Sequence, residues 1–241
     1  MRKVALVCVA AVVGVLGITA VASAIQGTQT VSVKLQNNRA GTKAKPRSVS
    51  RLTVQTNTTP VPGEPPFATR RAVIHFDKNV VFGNAKFANC AQSVVQSNAT
   101  RCPSGSRIGS GSAIAQLSTG SQVRPTITAY NGPRGKLFLL VKEPTFNVNA
   151  VLVGTLKTDT GKYARKLDVA IPQNLQNVAG IVITLTQFTT RVGGTAKGTP
   201  YVGLKGCTGG KLNFGGDFKF SDVNGAASTA SATTTTTCRR S

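Results

Sequence analysis

One histidine and a few carboxylates are the residues of this chain that could act as general acids or bases. His75 is the only histidine, and Asp77 follows it two residues later, a spacing that would suit a catalytic dyad. Residues two apart on a strand share a face, however, so the same spacing is typical of a surface pair. Acid–base catalysis also needs a second positioned group. The sequence therefore favours a structural role for His75.

Hydrolysis of a glycosidic bond needs two carboxyl groups on facing elements. The chain contains seven acidic residues, each isolated from the others in sequence. We therefore predict that the protein is not an enzyme, and we keep a hydrolase of envelope polysaccharide or peptidoglycan as the alternative. The candidate catalytic residues of that alternative are His75, Asp77, Glu143 and Asp168.

Motifs for cofactors and metals are incomplete. A glycine-rich phosphate loop could begin at Gly109, but Ile114 occupies the position of its third glycine and no βαβ pattern surrounds it. The cysteines lack the spacing of a zinc site. Asp77-Lys78-Asn79 begins a calcium loop that has neither the glycine nor the later ligands. The sequence predicts no cofactor and no metal.

The first 24 residues have the organisation of a secretory signal peptide. Arg2 and Lys3 precede an apolar run from Val4 to Val21, and Ala22-Ser23-Ala24 supplies a cleavage pattern of small residues. An uncleaved membrane anchor is the alternative, since the run approaches spanning length. We predict a mature chain, residues 25–241, that forms one domain without a transmembrane segment. It would be secreted or associated with the cell envelope.

Export makes disulfide bonds the expected state of the four later cysteines. Of three possible pairings we favour Cys90–Cys102 and Cys207–Cys238. The first would close a loop of eleven residues. For the second, a hairpin turn at Asn224-Gly225 would carry Cys238 back towards residue 211, close to Cys207.

Composition and periodicity predict an all-β chain. Aromatic residues are few, and Val, Thr, Ser and Gly are abundant. Roughly ten to twelve short strands bounded by turn residues indicate a disulfide-stapled β-sandwich, either jelly-roll or immunoglobulin-like. Residues 136–141, KLFLLV, predict a strand covered on both faces.

Two glycine-rich stretches predict irregular backbone. After Cys102, the segment containing Gly105, Gly109 and Gly111 favours a freely turning loop, with a strand only from Ser112. Near the C-terminus, Gly215-Gly216 interrupts an alternating strand, and we expect a bulge or bend there.

Positive charge is the largest functional clue. The mature chain carries 27 basic and seven acidic residues, a net charge of about +20. Such a surface gains counterion release on an anionic cell-wall or surface polymer, although an evenly charged, solubilising surface is the alternative. No recognition helix for specific nucleic-acid binding is visible. The adjacent basic pairs of the mature chain are Arg70-Arg71, Arg165-Lys166 and Arg239-Arg240, and the first two supply the candidate polyanion-binding residues, Arg70, Arg71, Arg165 and Lys166.

The chain resembles a group of exported proteins from high-GC actinobacteria that has no known activity. The segments that carry the resemblance are PPFATRRAVIHFDKNVVF, CPSGSRIGSGSA after the first cysteine loop, and CTGGKLNFGGDFKFSD followed by TTTTTC. These are turns, strands and cysteines. The resemblance implies an exported protein of a Gram-positive organism and adds no catalytic residue.

Overall fold

The computed structural model describes residues 27–63, 67–178, 180–222 and 225–240. The predicted signal peptide lies outside the described residues, and so does Asn224 of the predicted last turn. Within these ranges the chain is built mainly from β-strands, and one short α-helix, α1, spans Gln92–Asn98. The all-β prediction is confirmed for this part of the chain.

The strands fall into a first and a second half along the chain. The first nine are β1 (Gly27–Gln36), β2 (Arg47–Ser48), β3 (Arg51–Pro60), β4 (Phe67–Asp77), β5 (Val80–Phe82), β6 (Arg107–Leu117), β7 (Gln122–Val123), β8 (Thr126–Asn131) and β9 (Lys136–Glu143). The second nine are β10 (Val148–Thr158), β11 (Tyr163–Ala170), β12 (Asn177–Val178), β13 (Ile181–Gly193), β14 (Thr195–Ala196), β15 (Thr199–Pro200), β16 (Val202–Leu204), β17 (Lys211–Asp222) and β18 (Ala227–Thr237).

One antiparallel sheet forms most of the molecule, in the order β1-β3-β13-β6-β8-β9-β10-β11-β4-β17-β18. The sheet curls so that its two edge strands meet. Arg39 and Arg239 form a parallel bridge there, and the Thr236 hydroxyl donates a hydrogen bond to the Val33 carbonyl oxygen. The curled sheet encloses a hydrophobic core between two layers, which confirms the predicted β-sandwich.

Strand β9 is covered on both faces, as its continuous apolar sequence predicts. Leu137 and Leu139 belong to the main core, whereas Phe138 and Leu140 belong to a second cluster on the outer face of the sheet. Val95 of α1 packs in that second cluster. The helix therefore adds a local third layer.

The first disulfide holds this helical insert. Cys90 and Cys102 are bonded, with their Cα atoms 5.2 Å apart, which confirms the predicted pair. Asn131 fixes the same loop, because its amide nitrogen donates to the Asn84 carbonyl at 3.0 Å and to the Asn89 side chain at 2.8 Å. Closing a loop of this size stabilises the fold by about 3 kcal/mol in the chain-entropy account.

The second disulfide fastens the last strand. Cys207 and Cys238 are bonded with Cα atoms 5.8 Å apart, and Lys211 pairs with Thr237 across the final hairpin. Both observations confirm the predicted C-terminal arrangement. The longer loop implies a stabilisation of about 4 kcal/mol.

The prediction of a loop around Gly109 and Gly111 is wrong. Strand β6 begins at Arg107 and passes through both glycines. A Cβ atom on Gly109 would lie 2.0 Å from the Arg191 carbonyl oxygen, and one on Gly111 would lie 2.1 Å from that of Thr189. These glycines therefore permit a close approach of two strands and do not form a turn.

The predicted bulge at Gly215-Gly216 is also wrong. Strand β17 pairs without interruption at both glycines, and its register shifts between Lys219 and Phe220. A Cβ atom on Gly215 would lie 2.8 Å from the Tyr163 hydroxyl oxygen, so glycine makes room for that ring.

Candidate functional site

His75 lies on the outer face of β4 between two carboxylates from neighbouring elements. Its Nδ1 is 2.6 Å from Asp159 Oδ2, and its Nε2 is 2.9 Å from Asp217 Oδ2. The expected partner Asp77 is not involved, so that part of the prediction is wrong. With both ring nitrogens in contact with carboxylates, His75 has a structural position between β4 and its neighbouring elements.

Asp159 is the more buried partner of His75. Burial raises the pKa of Asp159, but the hydrogen bond from His75, the Thr160 N–H group and attraction to His75 and Lys166 outweigh burial, and its pKa is lowered. This carboxylate therefore stays ionised within its ion-pair cluster.

Asp77 organises backbone instead of acting on a substrate. Its Oδ1 accepts the Asn79 N–H at 2.8 Å, and its Oδ2 accepts the Asn213 N–H at 2.8 Å. The side-chain amides of the same two asparagines add further hydrogen bonds. This buried carboxylate joins the end of β4 to the start of β17.

Glu143 closes the turn between β9 and β10. Burial raises the pKa of Glu143, yet hydrogen bonds from the N–H groups of Phe146 at 2.8 Å and Thr145 at 3.1 Å make the net shift downward. Glu143 pairs with Val148 and Asp168 pairs with Thr155, seven residues further along β10. That separation is roughly 23 Å along the strand.

Asp168 is neutralised by two cations. Arg71 Nε lies 2.7 Å from Oδ1, and Lys157 Nζ lies 2.6 Å from Oδ2. The Arg71 hydrogen bond lowers the pKa of Asp168 to about 2 against the opposing effect of burial, with Lys157 adding to the effect. Glu143 therefore lies far from Asp168, and the three carboxylates among the four candidate hydrolase residues already have structural partners.

The four predicted polyanion-binding residues lie on adjacent strands, because β4 pairs with β11. Arg71 is bound to Asp168, and Lys166 lies 3.7 Å from Asp159. Arg70 and Arg165 are exposed. Half of this predicted site is therefore already neutralised within the protein.

A larger group of cations lies at one end of the sandwich, which we name the cationic end. It is formed by segments 37–50, 78–86, 132–135, 159–162, 194–210 and 238–240, which connect strands at the same end of the sheet. These segments contain one acidic residue, Asp159, and twelve basic residues: Arg39, Lys43, Lys45, Arg47, Lys78, Lys86, Arg134, Lys162, Lys197, Lys205, Arg239 and Arg240. None of the twelve forms a salt bridge within the described residues.

Backbone hydrogen bonds join five of these six segments, all except 132–135. Gly41 N–H donates to the Leu204 carbonyl at 2.9 Å, Lys205 N–H to Asn79 at 3.0 Å, and Lys78 N–H to Lys162 at 3.2 Å. The short strands β2, β16 and β5, which lie within these segments, form a separate three-stranded sheet. The cationic end is therefore a cap of hydrogen-bonded segments and not a set of separate loops.

The opposite end, which we name the apolar end, has a different composition. The described parts of its connecting segments, residues 61–63, 118–125, 144–147, 171–178, 180 and 225–226, contain one basic residue, Arg124, and no acidic residue. Apolar side chains at this end are incompletely covered, as Val61 is 39% exposed and Val123, Phe146 and Leu175 are half-buried. The positive charge of the connecting segments is therefore concentrated at one of the two ends of the sandwich.

The sequence contained a signal for this grouping beyond the adjacent basic pairs, of which one, Arg239-Arg240, lies at the cationic end. In an antiparallel meander, every second connecting segment returns to the same end of the sheet. Assigning basic residues to alternate connections, instead of searching for neighbouring pairs, would have found much of the cationic end. The segments that follow β16 and β18 could not be assigned to an end of the sheet in this way.

Among residues 27–63, 67–178, 180–222 and 225–240, no group of three or more His, Cys, Asp or Glu side chains is arranged to hold a metal ion. In this described part of the chain, no helix has both the length and the apolar character needed to cross a membrane.

Comparisons with known proteins found similarity only at the level of solved structures. No protein-family model matches the chain, and no curated protein does. The T6 backbone pilin of serotype M6 Streptococcus pyogenes has a TM-score of 0.35 and 8% identity; the match covers 88% of this chain and 36% of the pilin chain. The chain therefore spans about a third of that pilin's length. A cohesin module from a family 33 glycoside hydrolase of Clostridium perfringens has a TM-score of 0.30 and 8% identity, with 88% and 98% coverage.

Proposed function

We propose that this chain is an exported, non-catalytic β-sandwich protein that binds an anionic polymer of the cell envelope through its cationic end. The single observation that carries the proposal is the grouping of twelve basic residues, without salt-bridge partners among the described residues, in segments held together as one cap. The expectation of an even, merely solubilising charge does not account for this grouping.

Unpaired cations on a common surface have a physical consequence. Like charges repel one another, which disfavours their crowding in the free protein. A polyanion removes this repulsion and gains entropy when its condensed counterions are released. Cations already bound to carboxylates, such as Arg71 and Lys157, offer less of this gain.

Export of the chain rests on two supports. The predicted signal peptide precedes the described residues, and the two disulfides are of a kind that persists in oxidising compartments. Teichoic-type phosphates and acidic glycans are polymers that such a protein would meet outside a Gram-positive cell.

Binding to immobilised polyphosphate over a salt gradient tests the proposal. We compare the mature protein with a variant that carries five Lys or Arg to Gln changes at the cationic end: Lys43, Lys45, Lys197, Arg239 and Arg240. We expect a rise in Kd of about tenfold or more at 0.1 M salt and a shallower dependence of log Kd on log salt, because fewer counterions are released.

The matched control also removes five positive charges, but at exposed positions outside the cationic end, namely Lys34, Arg70, Arg124, Lys142 and Lys219. We expect this variant to bind within about threefold of the unmodified protein. Equal losses in the two variants would mean that only net charge matters. Binding that ignores salt would contradict the proposal outright.

A further inference from the structure

The interior of the sandwich contains two adjoining cavities. Their volumes are about 110 Å³ and about 90 Å³. They share five lining residues, Thr69, Leu152, Ile171, Leu185 and Phe188. Protein interiors are normally packed with few voids larger than a water molecule, so two adjoining spaces of this size stand out from an ordinary core.

The walls of both cavities are almost entirely apolar. We name the cavity of about 110 Å³ the inner cavity and that of about 90 Å³ the outer cavity. Leu137, Leu139 and Leu167 line the inner cavity, and Val141 and Ile183 line the outer cavity. Glu143 is the single charged lining residue of the outer cavity, and its oxygens accept N–H groups from its own turn. An apolar space of this kind excludes water and takes hydrocarbon, as an engineered cavity of about 150 Å³ in another protein takes benzene.

The cavities run from the cationic end towards the apolar end. The inner cavity is closed by Phe82 and the fully buried Tyr201, beneath the cationic cap. The outer cavity is lined by the half-buried side chains Val123, Phe146 and Leu175. This geometry suits an elongated guest that enters at the apolar end.

One polar atom in the inner wall lacks a partner. Thr190 lines the inner cavity and is 9% exposed, and within the described residues its buried hydroxyl oxygen makes no hydrogen bond. A buried hydroxyl without a partner is costly, and a guest that carries an acceptor would remove that cost.

We propose that the interior binds a single unbranched hydrocarbon chain whose leading end carries a neutral hydrogen-bond acceptor, as in a long-chain alcohol. The alkyl part fills the two cavities, and the Thr190 hydroxyl donates to the leading oxygen. An ionised carboxylate is disfavoured at this position, because the described residues that line the cavities include no cation to compensate for its loss of water. This inference is independent of polyanion binding at the cationic end.

Displacement of the fluorescent probe N-phenyl-1-naphthylamine from the folded, oxidised protein tests the inference. The competitors are 1-decanol, decane and decanoate. We expect 1-decanol to bind about tenfold more tightly than decanoate, because the carboxylate must be desolvated. Failure of the probe and of all three competitors to bind would overturn the inference, as would tighter binding of decanoate.

Cavity filling supplies the decisive variant. Ala72 lines the inner cavity, whereas Ala170 is exposed on the paired strand β11. Ala72→Leu should lower probe and 1-decanol affinity by at least about tenfold, since the added side chain occupies the space of the guest. Ala170→Leu, its control, should change neither. Equal effects of the two changes would place the probe outside the interior and overturn the inference.

A second variant tests the leading group and remains informative if Ala72→Leu does not fold. Thr190→Val keeps the shape of the side chain and removes its hydroxyl. It should weaken 1-decanol about fivefold and leave decane unchanged, because only the alcohol loses a hydrogen bond. An unchanged ratio of the 1-decanol affinity to the decane affinity in this variant would refute the role of Thr190.

Discussion

The cationic end and the apolar end of the sandwich differ in charge, in covalent bonding and in packing. The cationic end carries twelve basic residues, the Cys207–Cys238 disulfide and a small sheet that seals the core with Tyr201 and Leu204. The apolar end carries one basic residue in its described connections and leaves Val61 and Phe146 partly uncovered, and Phe146 lines a cavity there.

The difference shows that the topology of an antiparallel sheet can group residues of one charge that are not clustered in sequence. Basic residues that are far apart along the chain meet because alternate connections return to the same end. The adjacent pairs Arg70-Arg71 and Arg165-Lys166 behave differently, since Arg71 and Lys166 lie on strand faces and are neutralised by Asp168 and Asp159.

Of the changes that compare the two ends, removal of the second disulfide should cause the largest loss of unfolding free energy. The double variant Cys207→Ala with Cys238→Ala should lose about 4 kcal/mol of unfolding free energy, because the bridge closes the longer loop and holds the last strand at the cationic end. Urea unfolding measures this loss. The Cys90→Ala, Cys102→Ala variant serves as the control, with an expected loss of about 3 kcal/mol. A larger loss in the control would contradict the assignment of the main covalent anchor to the cationic end.

Two phenylalanines compare the packing of the ends directly. Phe87 is 7% exposed and lies edge-on to Tyr201, with ring centroids 5.0 Å apart, whereas Phe146 is half-buried beside the cavity. Phe87→Ala should cost about 3 kcal/mol, as is usual for a buried ring, and Phe146→Ala should cost about 1 kcal/mol. Chemical denaturation distinguishes the two. Equal costs would show that the apolar end is packed as tightly as the cap.

Acid titration separates the paired cations of the strand face from the unpaired cations of the end. The pKa of Asp168 is lowered from 3.8 to about 2, so its stabilising effect is complete above about pH 4 and is lost as the pH falls towards 2. Arg71→Gln raises that pKa and should cost about 1 kcal/mol at pH 7, a value reduced because the Arg71 side chain is 43% exposed.

The Arg71→Gln variant should also lose less further stability between pH 4 and pH 2 than the unmodified protein, as measured by urea midpoints. Lys45→Gln is the matched control at the cationic end, and Lys45 forms no salt bridge within the described residues. If both variants had the same pH profile, the distinction between paired and unpaired cations would fail.

Local signals predicted a substantial part of this fold. Alternation along β4 and β17, the continuous apolar run of β9 and the register of the last hairpin are properties of short segments, and the sequence contains them directly. The two disulfide pairs followed from such local geometry. The interpretation of the glycines was wrong because Gly109 and Gly215 make room for residues of other strands that are distant in sequence.

The partners of His75 could not be predicted, because they depend on strand order. Asp159 precedes β11 and Asp217 lies on β17, the two strands that flank β4 in the sheet. Periodicity indicates which residues share a face of one strand, but it does not indicate which strands are neighbours. The same limit applies to the cavity, whose walls come from many strands.

The most direct test of the central claim is to map lysine acetylation on the unmodified protein with and without polyphosphate, using peptide mass spectrometry. At low salt, Lys43, Lys45 and Lys197 of the cationic end should become protected at least about threefold, because the polymer covers them. The exposed residues Lys34, Lys142 and Lys219 should react unchanged. Equal protection of both groups, or protection of the second group alone, would contradict the claim that this protein binds polyanions through one end.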